Sequence, residues 1–186
     1  MRPLEIGLVV EVLEAPRYQH TPRWEEIRRN ALRAEEAGFD TVWVPDELIY
    51  KVDAWGGAHG FWECVAITGA LAAATSKIKI GTWVLSALHR NPGLTARVVE
   101  TLDEISGGRF VFGFGSGHAG AQGKTYGYPD DKVVARYEEA LSIVIPALRD
   151  GSVDYSGDHH RAWEFEHRPQ GPRPGLIPIM LAGHGP

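Results

Sequence analysis

The chain has 186 residues, of which 44% are hydrophobic and 23% charged, fractions typical of a globular domain large enough to bury a core. Its formal net charge of −5 argues against a nucleic-acid partner, because surfaces that bind nucleic acid are normally basic. Cys64 is the only cysteine, which excludes an intramolecular disulfide and a cysteine-built metal site. The sequence has neither a bilayer-length apolar run nor the apolar core of a signal peptide, so we expect a cytoplasmic protein without a membrane partner.

Strand-like and helix-like segments alternate along the chain. Apolar or alternating runs predict five strands, at residues 4–10, 41–44, 78–85, 109–115 and 176–181, with four helices at 22–37, 61–75, 92–106 and 132–149. Thr21 is a suitable N-cap for the first helix, with Pro22 at its first position. The third helix carries an apolar stripe that predicts its buried face, formed by Leu94, Val98, Leu102 and Ile105. Alternation with short connections predicts parallel strands joined by right-handed crossovers.

Polar residues follow three of these strands at their carboxyl ends. Asp46 and Glu47 follow the second strand, Ser86 follows the third, and residues 116–118 follow the fourth. An open doubly wound sheet also suits the alternation, but polar residues beyond several strand ends are typical of the active face of a barrel. We therefore expect an α/β fold of the (β/α)8 TIM-barrel type.

The chain supplies only about the first five β/α units of such a barrel. A complete barrel has eight units and typically ~250 residues, so residues 1–186 are expected to form one barrel domain that is incomplete at its C-terminus. An open parallel sheet leaves an unpaired edge. The remaining units are therefore either truncated or replaced by self-association, which predicts a homo-oligomer.

A competing pattern is the dinucleotide-binding fingerprint. Residues 115–120 read G-x-G-x-x-G, which in a Rossmann domain opens a helix whose N-terminus meets the pyrophosphate. Residues 121–129 are loop-like in composition, and the motif follows a fourth strand instead of opening a βαβ unit. These two departures favour the barrel over a nicotinamide-binding domain.

Several motifs together resemble the bacterial luciferase-like monooxygenase family. They are Trp43-Val44-Pro45-Asp46, the run from Ile80 to Leu85, Asn91-Pro92, and the run from Leu102 to Gly117, which is the most specific. The resemblance covers essentially the whole chain. It implies a (β/α)8 barrel with the ring of coenzyme F420 or FMN in its mouth. It also implies hydride transfer between that ring and a small organic substrate, and often oxygen insertion in FMN-dependent members.

The resemblance also implies catalytic roles at the strand ends. Glu47 stands where the family commonly has histidine, and His118 stands where some F420-dependent members have a catalytic carboxylate. We expect both to be catalytic, because a carboxyl group in a dry pocket and an imidazole can each transfer protons near neutral pH. A solvated loop position is the alternative for each.

The other candidate residues are expected to bind the cofactor. The resemblance matches Asp46 to an acidic residue of the cofactor pocket and places a non-prolyl cis peptide between Trp83 and Val84, behind the ring. The polar edge of the ring and its phosphate chain are then matched to the strand-end loops. These loops contribute Ser86, Ser116, Gly117 and, in the final loop 182–186, Gly183.

Two further expectations complete the interpretation. His159, His160 and His167 lack the spacing of metal ligands, so no metal is expected. The alternative function is a non-catalytic partial barrel that acts only through self-association.

Overall fold

The computed structural model describes residues 4–14, 20–118 and 120–183. Ala119 of the glycine-rich run and residues 184–186 of the predicted final loop lie outside the described residues. The strands are β1 (Gly7–Val9), β2 (Thr41–Val44), β3 (Ile49–Val52), β4 (Gly57–Gly60), β5 (Lys79–Thr82), β6 (Leu85–Ser86), β7 (Phe110–Gly115), β8 (Ser152–Ser156), β9 (Arg161–Glu166) and β10 (Ile179–Ala182). The helices are α1 (Trp24–Glu36), α2 (Cys64–Ala74), α3 (Pro92–Ser106), α4 (Gly120–Tyr126) and α5 (Val133–Asp150).

Five parallel strands form the central sheet, in the order β1-β2-β5-β7-β10, and β6 adds a short pairing to β7. The hairpins β3–β4 and β8–β9 are antiparallel insertions. One face of the sheet is packed by helices, because Val42, Val44, Ile80, Phe112 and Phe114 are completely buried there. This arrangement is the predicted α/β architecture of five β/α units.

On the opposite face of the sheet, a large indole ring packs between glycine residues of the neighbouring strands. Trp43 lies beside Gly7 and Gly81 on the neighbouring strands, and a Cβ atom at either glycine would collide with its indole. Farther along the sheet, Gly113 of β7 lies against the side chains of Met180 and Val84. Glycine in a strand interior often marks such a close approach.

Two local predictions were wrong. Helix α1 begins at Trp24 with Arg23 as N-cap, and the Arg23 backbone N–H donates to the Glu26 carboxylate at 2.9 Å. Thr21 instead donates its hydroxyl to Glu14 at 3.1 Å. The segment interpreted as loop-like after the glycine run contains α4.

The buried face of α3 was only partly predicted. Leu102 is buried and Val98 packs against the core, whereas Leu94 and Ile105 are 54% and 44% exposed. Helix α3 buries its polar residues Glu100 and Asp103 instead.

These two buried carboxylates hold the segment that leads to β10. Glu100 accepts hydrogen bonds from the backbone N–H of Gly171 at 2.5 Å and from the ring of His167 at 3.1 Å. Asp103 pairs with the guanidinium of Arg173. Because β10 follows directly, the acidic face of α3 sets where the last strand enters the sheet.

Arg109 ties three elements together at the opposite end of the strands from the polar loops. Its guanidinium donates to the carbonyls of Ala72, Thr75 and Ile78 and to the Thr75 hydroxyl, at 2.7–3.1 Å. Its Nε donates to the carbonyl of Ser106 at 2.7 Å. The Arg109 side chain therefore connects the end of α2, the loop after it and the end of α3 by hydrogen bonds.

Arg109→Lys is expected to lower the free energy of unfolding by about 2–3 kcal/mol, because a single ammonium cannot reach all of these carbonyls and buried acceptors lose their donors. Chemical denaturation measures the change. Arg28→Lys, in an exposed pair with Glu25 on α1, is the matched control and should cost less than about 0.5 kcal/mol. Equal effects of the two substitutions would contradict the role assigned to Arg109.

Candidate functional site

A cavity of about 640 Å³ lies at the carboxyl ends of the parallel strands. All nine residues predicted from the sequence line it: Asp46, Glu47, Trp83, Val84, Ser86, Ser116, Gly117, His118 and Gly183. Four strands deliver them, since β2, β6, β7 and β10 each end at the cavity. The structure thus brings the nine residues together, and their individual roles stay predictions. Met180, Leu181, Ala182, Gly115 and Gln122 complete the lining.

Asp46 is a completely buried carboxylate with a full set of partners. Its Oδ2 accepts the backbone N–H of Ser86 at 2.8 Å and Nη1 of Arg90 at 2.7 Å, and its Oδ1 accepts Nη2 of Arg90 at 3.2 Å. Arg90 also reaches Glu63, the N-cap residue of α2, at 2.5 Å. Asp46 therefore connects the loops after β2 and β6 and holds them together at the base of the cavity.

The pKa of Asp46 is lowered although the group is buried. Burial opposes ionisation, but the nearby His89 ring, the hydrogen bonds from Arg90 and the positive charge of Arg90 outweigh it. The His89 Nδ1 lies 3.3 Å from Asp46 Oδ2, and its ring stacks on Tyr128 with centroids 5.0 Å apart. Asp46 is thus a fixed negative charge, suited to orienting its neighbours and unsuited to carrying a proton.

Glu47, the next residue, is held differently. Its Oε2 accepts Nε2 of Gln122 at 2.7 Å, and its Oε1 lies 3.4 Å from Nδ1 of His118. The side chain of Glu47 is 21% exposed and that of His118 is 59% exposed. The two predicted catalytic residues therefore form a contact pair, with the imidazole on the solvent side.

The pKa of Glu47 is raised. Burial is the main cause and Asp46 adds to it, while His118, Gln122 and His89 act in the opposite direction. Adjacent carboxyl groups whose environments shift their pKa values in opposite directions are a recurring feature of acid–base sites. Glu47, and not Asp46, is the carboxyl group here that can hold a proton nearer neutral pH.

An apolar wall faces these polar groups. The peptide bond between Trp83 and Val84 is cis, as the resemblance predicts, and it separates β5 from β6. Trp83 is 52% exposed, and its ring meets the edge of Trp43 at a centroid distance of 5.6 Å. Val84 fills the space that side chains at Gly113 and Gly115 would need. Trp83 and Val84 therefore present apolar surface to the cavity.

The remaining predicted residues form a polar corner. Ser86 is buried, and its Oγ accepts the backbone N–H of Leu88 at 3.3 Å. Gly117 has a φ of +72° and lies so close that any side chain there would strike the Ser86 hydroxyl. Ser116 donates its hydroxyl to the Gly117 carbonyl at 3.2 Å. A Cβ added at Gly183 would have no described atom within 4 Å.

Sequence reasoning missed two residues that organise the site, Arg90 and Gln122. Arg90 stands four residues after Ser86 in the same exit loop, so its proximity to a predicted site residue was an available signal. Gln122 lies in the segment interpreted as a loop. Recognition of α4 would have placed it one helical turn after His118.

Two negative findings apply to the described ranges. Residues 4–14, 20–118 and 120–183 contain no group of three or more histidine, cysteine, aspartate or glutamate side chains that could hold a metal ion. Within the same ranges, no helix has the length and apolar character needed to cross a bilayer.

A family comparison decides the classification. The model of the luciferase-like monooxygenase family matches residues 4–186. The chain belongs to the luciferase-like monooxygenase family. The resemblance found in the sequence is thereby confirmed.

Curated relatives of this luciferase-like chain are longer than it is. An F420-dependent glucose-6-phosphate dehydrogenase from Amycolatopsis mediterranei is 32% identical over 164 residues, which are 84% of this chain and 46% of that protein. A 5,10-methylenetetrahydromethanopterin reductase from Archaeoglobus fulgidus is 30% identical over 164 residues, 88% of this chain and 45% of that protein. The chain spans about half the length of these relatives.

Solved structures agree on the fold. An F420-dependent secondary alcohol dehydrogenase in complex with an F420-acetone adduct matches with a TM-score of 0.77 and 24% identity, over 96% of this chain and 52% of that one. The TIM-barrel class and the partial barrel are confirmed, and the Rossmann alternative was wrong. The luciferase-like chain forms about half of such a barrel.

The buried ion pair of the luciferase-like site is testable by a double-mutant cycle. Arg90→Met should lower the free energy of unfolding by about 3–5 kcal/mol, because it leaves the Asp46 carboxylate buried without its main partner. Asp46→Asn should cost less, since Arg90 keeps Glu63. The double variant should be more stable than the sum of the two losses predicts, and additivity within about 0.5 kcal/mol would contradict the coupling.

Glu47 should leave a signature in the pH dependence of stability. Because its pKa is raised in the folded chain, the folded state binds more protons than the unfolded state above the ordinary glutamate pKa. The contribution of protonated Glu47 to the free energy of unfolding is complete below the ordinary glutamate pKa. It is lost as the pH rises through the pKa that Glu47 has in the folded state. Glu47→Gln cannot titrate, so its stability relative to wild type should be greater at about pH 8 than at about pH 4.

Denaturation curves at the two pH values measure this difference. Glu36→Gln, exposed at the end of α1, is the matched control and should behave like wild type at both. A Glu47→Gln variant with the same relative stability at both pH values would contradict the raised pKa.

Proposed function

We propose that this chain is the cofactor-binding part of a luciferase-like oxidoreductase. In this proposal the ring of F420 or FMN occupies the cavity, and a hydride passes between the ring and a small organic substrate. The observation that carries the proposal is the cavity itself, which gathers the strand-end residues and sets the Glu47–His118 pair in its wall.

The cavity suits a flat, polyaromatic ligand. Its volume is within the range of small-molecule sites, which are mostly apolar with a few placed polar groups. Trp83 and Val84 offer the apolar wall, and the missing side chain at Gly183 leaves room for close approach. Ser116 and the backbone of Gly117 are the groups proposed to meet the polar tail of the cofactor.

The chemistry divides between the cofactor and the chain. When bound, the ring would supply the hydride transfer, which the protein side chains cannot perform. Oxidation of an alcohol or reduction of a carbonyl also moves a proton, so the site needs a group that changes its protonation state. Glu47, with its raised pKa, holds that proton, and the exposed His118 exchanges it with solvent.

F420 is the cofactor that we favour over FMN. The support is the relative named as an F420-dependent dehydrogenase at 32% identity. The whole protein's activity depends on more than this chain, since the match covers 46% of that relative. The substrate is proposed only as a small organic molecule, and the compartment as the cytoplasm.

Self-association is the second candidate function. The described sheet ends at β1 and β10, where Val9 is 50% and Leu181 is 53% exposed. Apolar side chains on open parallel edges favour pairing with a second copy. A non-catalytic partial barrel would show a concentration-dependent mass in sedimentation and no cofactor binding.

Cofactor binding is tested by fluorescence titration of the 186-residue chain with F420 and with FMN. We expect saturable binding, tighter for F420. Gly183→Phe should weaken it at least tenfold, because the new ring fills open space in the cavity without striking the described protein atoms.

Leu94→Phe places the same aromatic side chain on the exposed surface of α3, away from the cavity, and is the control. It should bind like wild type, and circular dichroism checks that both variants are folded. A folded wild-type chain that binds neither cofactor would overturn the proposed function. Equal binding by wild type and Gly183→Phe would overturn the assigned site.

A further inference from the structure

We propose that Gln122 is a positioning residue that confines the proton of Glu47 to Oε1, the carboxyl oxygen that faces His118. The inference deepens the proposed function, because it names the oxygen from which the proton would be exchanged. It concerns the geometry of the chain alone and is testable without a cofactor.

Gln122 is 2% exposed and lies in the first half of α4. Its amide makes three hydrogen bonds. Its Oε1 accepts the backbone N–H of Leu48 at 3.1 Å, and its Nε2 donates to Glu47 Oε2 at 2.7 Å and to the His118 carbonyl at 3.1 Å. The side chain thus connects the loop after β2 with the loop after β7.

The orientation of this amide is determined by its partners. The backbone N–H of Leu48 is only a donor, so it must meet the amide oxygen, and the His118 carbonyl is only an acceptor, so it must meet the amide nitrogen. A flipped amide would set donor against donor and acceptor against acceptor. The NH₂ group of Gln122 therefore always faces Glu47.

The position of the Glu47 proton follows from this orientation. Oε2 of Glu47 receives the amide N–H, and in a protonated carboxyl group the carbonyl oxygen accepts a hydrogen bond better than the hydroxyl oxygen does. The proton is therefore favoured on Oε1, which lies 3.4 Å from Nδ1 of His118. An amide that carries no charge thus directs proton exchange toward the exposed imidazole.

The other charged and titratable groups that affect Glu47 do not offer a competing path. Asp46 is bound by Arg90 and Ser86, and His89 lies beside Asp46. Tyr50, at the start of the hairpin after Glu47, has a pKa raised by burial and by the Glu47 charge, so it is not a base near neutral pH. His118 is the partner that lies within ion-pair distance of Glu47.

The test is a titration of the Glu47 side-chain carboxyl by carbon-detected NMR, with the signal assigned by its loss in Glu47→Gln. Gln122→Met removes the donor while keeping the length of the side chain, so the pKa of Glu47 should rise. His118→Ala should also raise the pKa of Glu47, and this effect should be smaller in Gln122→Met, where the carboxyl is free to rotate. Thr125→Val on α4, whose hydroxyl bonds only Ala121, is the matched control and should leave the titration unchanged.

A measurement on the wild-type chain keeps the test valid if Gln122→Met unfolds. The side-chain NH₂ signals of Gln122 should shift with pH at the same midpoint as the Glu47 carboxyl, and this shift should vanish in Glu47→Gln. A Gln122 that only supports packing predicts lower thermal stability of Gln122→Met, an unchanged Glu47 titration and NH₂ signals that do not follow it. That result, or an effect of His118→Ala that is the same with and without Gln122, would overturn the proposal. Because no cofactor is added, this failure is distinct from a failure of the titration with F420 or FMN.

Discussion

The buried pair of Asp46 and Arg90 is the constraint on which the site depends. A carboxylate with no exposed surface must be fully paired, and here a bidentate guanidinium and the backbone N–H of Ser86 supply the partners. Arg90 in turn binds the N-cap residue of α2. One ion pair thus fixes the loops after β2 and β6 relative to each other at the base of the cavity.

Two adjacent carboxyl groups then acquire different chemistry. Asp46 faces Arg90 and His89, which lower its pKa, whereas Glu47 is partly buried beside a neutral amide and the Asp46 charge, and its pKa is raised. The difference arises from the partners and not from the side-chain chemistry, which is nearly the same. A carboxyl group with a lowered pKa and one with a raised pKa are therefore placed side by side, an arrangement that recurs in acid–base sites.

Prediction succeeded where the local sequence contained the whole cause. The alternation of strands and helices, the polar residues after strand ends and the family resemblance together indicated nine residues that line one cavity. It failed where distant partners decided the outcome. The apolar residues Leu94 and Ile105 are exposed while Glu100 and Asp103 of the same helix are buried, because these acids bind Gly171 and Arg173 about 70 residues later. No periodicity within α3 contains that information.

The sequence by itself determined the parallel α/β architecture, the family and the set of residues at the strand ends, because strand period, turn residues and family motifs are local properties of the chain. The tertiary structure decided which of those residues contact one another. Glu47 and His118 are 71 positions apart, and Gln122 meets Glu47 only because α4 begins at Gly120, shortly after β7. Burial and hydrogen-bond partners set a pKa, and both exist only once the strands are side by side.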